Sequence, residues 1–132
     1  MVRINARYDG NLRCTATHTP SGAELITDAP TDNVGKGESF SPTDLLATSM
    51  LTCIMTIVAI RADSRNIDVK NMKGSVEKSM ASDPRRIAKL DITIELPNGI
   101  PIEDRAWLIT EGCNCPICVS VSESMEVDVT FE

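Results

Sequence analysis

Five cysteines, Cys14, Cys53, Cys113, Cys115 and Cys118, are the residues of this 132-residue chain whose type and spacing could do chemistry. Two stand out by their settings. Cys53 lies midway along a long apolar helical pattern, and Cys115 directly precedes Pro116, a residue suited to the first position of a helix. A thiol inside a buried helix ordinarily packs as a small apolar side chain. Burial also raises its pKa, so reactivity at Cys53 needs a compensating cation or hydrogen-bond donor. A thiol at a helix start meets free amide groups that favour thiolate. Should folding bring these two sulfurs together, the pair can run peroxide chemistry.

Cys113, Cys115 and Cys118 form a C-x-C-x-x-C cluster, which suggests zinc. Only Cys14, Cys53 or the lone His18 could complete a tetrahedral site, and there is no second C-x-x-C, so a metal-binding module stands as a lesser alternative. His18 precedes Thr19-Pro20-Ser21-Gly22 and reads as a solvated loop residue, and Trp107 as core or interface. No glycine-rich phosphate loop, Ser/His/Asp arrangement or paired-carboxylate motif is visible.

Composition narrows the function classes. A formal net charge of −6 repels phosphate backbones and anionic lipid, which argues against nucleic-acid and membrane partners. With 3% aromatics there is little to stack on bases, and the core must be aliphatic and methionine-filled. The odd, unevenly spaced cysteines do not suit a structural disulfide framework and fit a reducing cytoplasm. The N-terminus lacks the apolar stretch of a signal peptide. The longest apolar run, residues 45 to 60, falls short of the roughly 20 residues needed to span a bilayer.

The elements that must position the thiols follow from periodicity. Residues 2–8 and 12–17 read as strands joined by a turn at Asp9-Gly10-Asn11, with a third strand at 23–27. Residues 28–41 are rich in Asp, Gly, Pro and Ser and read as a loop, the candidate mobile segment. Ser41 is a good N-cap, Pro42 fits the first helical position, and Asp44 can reach back as in a capping box. The helix then runs to about Arg65, apolar on nearly every face, as expected of a central pillar surrounded by protein. Residues 87–96 alternate with period two, 72–80 alternate more weakly, and Ser82-Asp83-Pro84-Arg85 supplies the turn between them. Pro101 opens an amphipathic helix to Gly112, Pro116 begins a short helical turn, and residues 125–131 alternate as a last strand. This order predicts one α+β domain over residues 1–132, with antiparallel sheets packed around a long helix. A helix so apolar needs cover on several sides, so a homodimer is expected.

The segment Phe40-Ser41-Pro42-Thr43-Asp44-Leu45-Leu46-Ala47-Thr48-Ser49-Met50-Leu51-Thr52-Cys53 resembles the helix-opening motif of the OsmC-like (osmotically inducible protein C) family, which includes organic hydroperoxide reductases. Cys115-Pro116-Ile117 resembles that family's second motif, and the element order between the two is similar. The resemblance implies an intertwined homodimer with sites at the subunit interface. It implies a thiol peroxidase in which Cys53 is peroxidatic and Cys115 resolving, with a Cys53 sulfenic acid and a Cys53–Cys115 disulfide in the cycle. The substrate would be an organic hydroperoxide held in an apolar pocket, the reductant a lipoyl-type or thioredoxin-type dithiol, and no metal, flavin or haem would be needed. The chain departs from the best-characterised members in two places. Thr43 stands where they carry an active-site glutamate, and Asp44, one residue on, faces elsewhere and serves the cap. Their active-site arginine comes from the N-terminal strands, where Arg3, Arg7 and Arg13 all remain open. These gaps keep a non-catalytic, small-molecule-binding or structural member of the family as the main alternative.

Overall fold

A computed structural model describes residues 1–123 and 125–132. The elements run β1 (Ile4–Gly10), β2 (Arg13–His18), β3 (Glu24–Asp28), α1 (Pro42–Asp63), β4 (Lys73–Ala81), β5 (Arg86–Glu95), α2 (Ile102–Cys113), α3 (Pro116–Val121) and β6 (Glu126–Phe131). The chain divides into two compact units, Met1–Leu46 and Ala47–Glu132.

In the first unit, β1, β2 and β3 form an antiparallel sheet in sequence order. Gly10, Asn11 and Leu12 all have positive φ and reverse the chain between β1 and β2, as Asp-Gly-Asn chemistry demands. The loop after β3 is more tied down than its composition predicts, because Asp28 organises it. The Asp28 carboxylate is buried and accepts from the Glu38 amide and from Arg13, while its own N–H donates to the Phe40 carbonyl. Arg13 also pairs with Glu38. A Cβ at Gly35 would overlap the Ala29 carbonyl, so this approach needs glycine. The loop holds one short 3-10 turn, Thr31–Asn33. At its end the capping box forms as expected: the Asp44 N–H donates to Ser41 Oγ (3.1 Å) and the Ser41 N–H donates to Asp44 Oδ2 (2.9 Å).

In the second unit, β4 and β5 pair antiparallel, with a bulge at Ser79/Met80. Leu90, Ile92, Ile94 and Leu96 point inward, as their alternation predicts. One pair departs from the antiparallel expectation: β6 runs parallel to β5, making this sheet mixed. Alternation marks faces and not direction, and the long connection through α2 and α3 is what a parallel crossover requires.

α1 also differs from the expected fully surrounded pillar. Its buried residues form one stripe, Ala47, Met50, Ile54, Val58 and Ala62, whereas Ile60 is 57% exposed. The 16-residue apolar run understates its length. At 22 residues, α1 is long and apolar enough to cross a bilayer by length and composition, a test that core helices of soluble proteins also meet. Two glycines let neighbours approach the helix. A Cβ on Gly112 of α2 would lie 2.9 Å from Val58 and 3.3 Å from Ile54, and one on Gly74 of β4 would lie 2.8 Å from Leu51. The first contact sets the end of α2, and thus the segment that follows it, beside the turn of α1 that carries Cys53.

Candidate active site

Three local devices fix Cys115. Asn114 ends α2, its N–H donating to the Glu111 carbonyl and its side-chain amide to that of Thr110. Pro116 then excludes helical geometry from the residue before it, and Cys115 is accordingly extended (φ −63°, ψ 149°). The Cys115 carbonyl accepts from the Val119 N–H and opens α3, while its sulfur accepts from the Cys118 N–H at 3.1 Å. The N-cap position expected for Cys115 is the one it occupies. Its side chain is fully buried.

Cys53 and Cys115 meet: their thiols share a hydrogen bond, and the Ile117 N–H also donates to Cys53 Sγ. Cys53 is half-buried. Burial chiefly pushes its thiol up, the Ile117 amide pulls it down, and the Cys115 sulfur adds to the rise. No cation figures among these influences. The compensating group is therefore a backbone donor on α3, which sequence reasoning could locate only through the Cys-Pro pair.

Cys118 is the site residue that periodicity did not place. Its sulfur lies 2.7 Å from that of Cys115, a thiol–thiol contact within one C-x-x-C turn. Burial first, then the neighbouring sulfurs of Cys115, Cys113 and Cys53, push its thiol up to about 12. Cys113 is raised as well, by burial and then by Cys115. A cleft of about 430 Å³ opens beside α3 and β6, walled by Cys113, Cys118, Val119, Met125, Val127 and Val129. Cys53, around which an apolar pocket was expected, is not in its wall, and neither is Cys115. Cys14 sits on β2, opposite Tyr8 and Thr27. No group of three or more His, Cys, Asp or Glu side chains among the described residues is arranged to hold a metal ion, which disfavours the zinc alternative.

Two of the three N-terminal arginines, Arg7 and Arg13, have local partners. Arg7 pairs with Asp9 at 2.8 Å, and Arg13 is held by Asp28 and Glu38. Asp44 is committed to its cap, and Thr43 Oγ1 lies 3.1 Å from Ser41 Oγ. His18 hydrogen-bonds Ser21 within its own turn. Arg65 stacks 3.5 Å over the Trp107 ring and pairs with Asp104, tying the end of α1 to α2.

Two three-stranded sheets, a long apolar helix carrying a half-buried thiol, and a second thiol at a proline-led turn define an α+β thiol protein. Residues 35–130 match the family model described as OsmC-like protein, and the chain belongs to that family. The fold agrees with solved structures over its whole length. An osmotic-stress-induced and detoxification-response protein of Psychrobacter arcticus 273-4, assigned provisionally, superposes with a TM-score of 0.94 at 39% identity, over 100% of this chain and 96% of that one. The organic hydroperoxide resistance protein OsmC of Legionella pneumophila gives 0.80 at 16% identity, over 100% and 96%. OhrB of Bacillus subtilis, an organic hydroperoxide resistance protein, gives 0.72 at 15%, over 100% and 98%. At these two lower identities the likeness is one of fold. No curated protein matches the chain.

Proposed function

We propose that this chain is a cysteine-based peroxidase that reduces organic hydroperoxides without a cofactor, Cys53 being peroxidatic and Cys115 resolving. The observation that carries the reading is the direct Cys53–Cys115 contact, formed where two helices meet and needing no partner molecule. Family membership adds to it, since two solved structures of the same fold are organic hydroperoxide resistance proteins.

In the first step the Cys53 thiolate attacks the distal peroxide oxygen. The O–O bond breaks, an alkoxide leaves and takes a proton to become the alcohol, and Cys53 becomes a sulfenic acid. The Cys115 thiolate then attacks the sulfenic sulfur, hydroxide leaves and is protonated to water, and the Cys53–Cys115 disulfide closes. The Ile117 N–H is the donor that steadies negative charge on Cys53 before attack. A lipoyl-type or thioredoxin-type dithiol returns the pair to thiols. The protein acts as a cytoplasmic homodimer whose second subunit covers the open side of α1.

The test treats reduced protein with cumene hydroperoxide, blocks free thiols and maps peptides without reduction. A Cys53–Cys115 bridge and loss of peroxide consumption in Cys53→Ser are expected. No bridge, together with consumption at the normal rate by Cys53→Ser, removes the proposal.

A second reading, a non-catalytic member of the family, draws on one observation: the Cys53 thiol is raised, and no cation is among the influences that set it. Alkylation rates against pH discriminate the two. A peroxidatic Cys53 reacts about tenfold faster per pH unit as its thiolate forms, past the free-thiol value of about 8.5, whereas an inert Cys53 stays unalkylated throughout that range.

A further inference from the structure

The peroxidase cycle described so far uses two thiols and leaves a third in contact with them. Cys118 touches Cys115 sulfur to sulfur, and its own side chain borders the cleft beside α3 and β6. Cys115 has no exposed surface. A disulfide between Cys53 and Cys115 would therefore hide one of its two sulfurs from any external thiol. Reduction by attack on the half-buried Cys53 would have to proceed through the space in which the peroxide reacts.

We infer that Cys118 completes a three-thiol relay, moving the disulfide from Cys53–Cys115 to Cys115–Cys118 and delivering it to the cleft, where a dithiol reductant takes it up. The inference rests on the peroxidase reading for its first oxidation. In the exchange, the Cys118 thiolate attacks the Cys115 sulfur of the Cys53–Cys115 bridge. A Cys115–Cys118 bond forms, the Cys53–Cys115 bond breaks, and Cys53 leaves as thiolate, ready for another peroxide. No electrons are gained or lost by the protein in this step. A reductant dithiol then attacks Cys118 from the cleft and releases the Cys115 thiolate. Its second thiol resolves the mixed disulfide, so the reductant leaves as a cyclic disulfide and Cys118 returns to a thiol.

Geometry permits the exchange. Cys115 and Cys118 stand at C-x-x-C spacing across the first turn of α3, with the sulfurs already in contact, so bond formation needs little backbone movement. Electrostatics set its timing. Cys118 is held protonated in the reduced protein partly by the sulfurs of Cys115 and Cys53. Once those two are joined, neither bears charge or a thiol proton, and these causes of the rise vanish. Burial and Cys113 then remain, so Cys118 becomes a better nucleophile at the moment its target exists.

Trypsin makes the test direct, because residues 37–61 carry Cys53 alone while 106–132 carry Cys113, Cys115 and Cys118 together. One equivalent of cumene hydroperoxide is added to reduced protein, and samples are alkylated over time and digested without reduction. The linked pair 37–61/106–132 should appear first. It should then convert to free 106–132 closed between Cys115 and Cys118, with Cys53 again alkylated. In Cys118→Ser the reaction should stop at the linked pair. In Cys53→Ser, peroxide should produce no Cys115–Cys118 bridge. The relay is overturned if the linked pair is the end state of the unaltered protein, if the final bridge ends on Cys113, or if Cys53→Ser closes Cys115–Cys118 equally fast. A parallel oxidation with diamide separates the two proposals, since it bypasses peroxide. With diamide, a linked pair 37–61/106–132 that forms first and then converts to Cys115–Cys118, beside no reaction with peroxide, supports the exchange while defeating the peroxidase reading. A persistent Cys53–Cys115 bridge with diamide defeats the exchange alone.

Discussion

Cys53 is held between opposed influences, and the balance sets how it should respond to pH. Burial and the Cys115 sulfur favour the thiol, while the Ile117 amide favours the thiolate. The net direction is upward, so only a small thiolate fraction exists near neutrality. The peroxide step needs that fraction. Its rate constant, measured by single-turnover stopped flow with excess cumene hydroperoxide, should rise about tenfold per pH unit below the Cys53 pKa. The rise should continue past the free-thiol value of about 8.5. A plateau below pH 7 would show a depressed thiol and a stabilising charge that these neighbours do not supply. Cys118 gives a related stability effect. Its folded pKa, pushed up to about 12, exceeds the free-thiol value of about 8.5. Above about 8.5 the unfolded chain sheds a proton that the folded chain keeps, so stability is full below that pH and is lost progressively towards about 12. Urea midpoints at pH 8 and pH 10 should therefore diverge less in Cys118→Ala than in the unaltered protein. At this scale the sequence was partly readable. The Cys-Pro pair announced both an extended Cys115 and a helix start, and the C-x-C-x-x-C spacing grouped Cys118 with Cys115. The direct sulfur contact between them was not legible, because it depends on the direction of the capped side chain.

Among the elements, the contact between α1 and α2 positions the whole thiol group. Gly112 stands where α2 meets Ile54 and Val58 of α1 and Phe131 of β6, and an added methyl would come within 2.9 to 3.3 Å of each. Two of those neighbours are β-branched and cannot swing aside. Gly112→Ala should therefore destabilise the chain by about 1–3 kcal/mol, the usual cost of overpacking a filled core. It should also push Cys115 away from Cys53 and slow closure of their bridge. Chemical denaturation and the rate of disulfide closure measure the two effects. A variant as stable as the unaltered protein would show that the helices have slack at this crossing. The strands show what sequence can convey about elements. The inward face of β5 was legible because a period of two is strong over ten residues, and the capping box at Ser41 and Asp44 was legible because its chemistry is local. The parallel direction of β6 was not, since alternation reads alike in either direction. The covered flank of α1 was equally hidden, because a helix apolar all round gives no moment from which to choose a side.

At the scale of the whole molecule, the apolar surface that one chain leaves open is the feature to explain. In the first unit Ile4, Tyr8, Leu25, Ile26 and Phe40 are all exposed, and the buried residues there, Thr15, Asp28 and Ser41, are polar. Three strands with no apolar core of their own are marginal in water. α1 repeats the pattern on the side away from its buried stripe, where Ser49, Thr52, Thr56 and Ile60 follow one another at helical spacing. Thr52 and Thr56 turn their hydroxyls back onto the carbonyls of Thr48 and Thr52, so they can present methyl groups outward. Such a stripe suits close packing against a second helix, and a second copy of the chain offers an identical one. A two-fold partner of this kind fits the homodimer proposed above, and the net charge of −6 does not forbid it if the paired stripes are neutral. Sedimentation velocity at micromolar concentration should give twice the chain mass. Thr56→Arg places a large charge in the middle of the stripe at an exposed position where arginine is a better helix former than threonine. The fold within each chain should survive, with helical circular dichroism retained, while the dimer dissociates. Should the unaltered protein sediment as a monomer, or Thr56→Arg remain fully dimeric, this helix face is not the seam and the exposed surfaces of both units need another explanation.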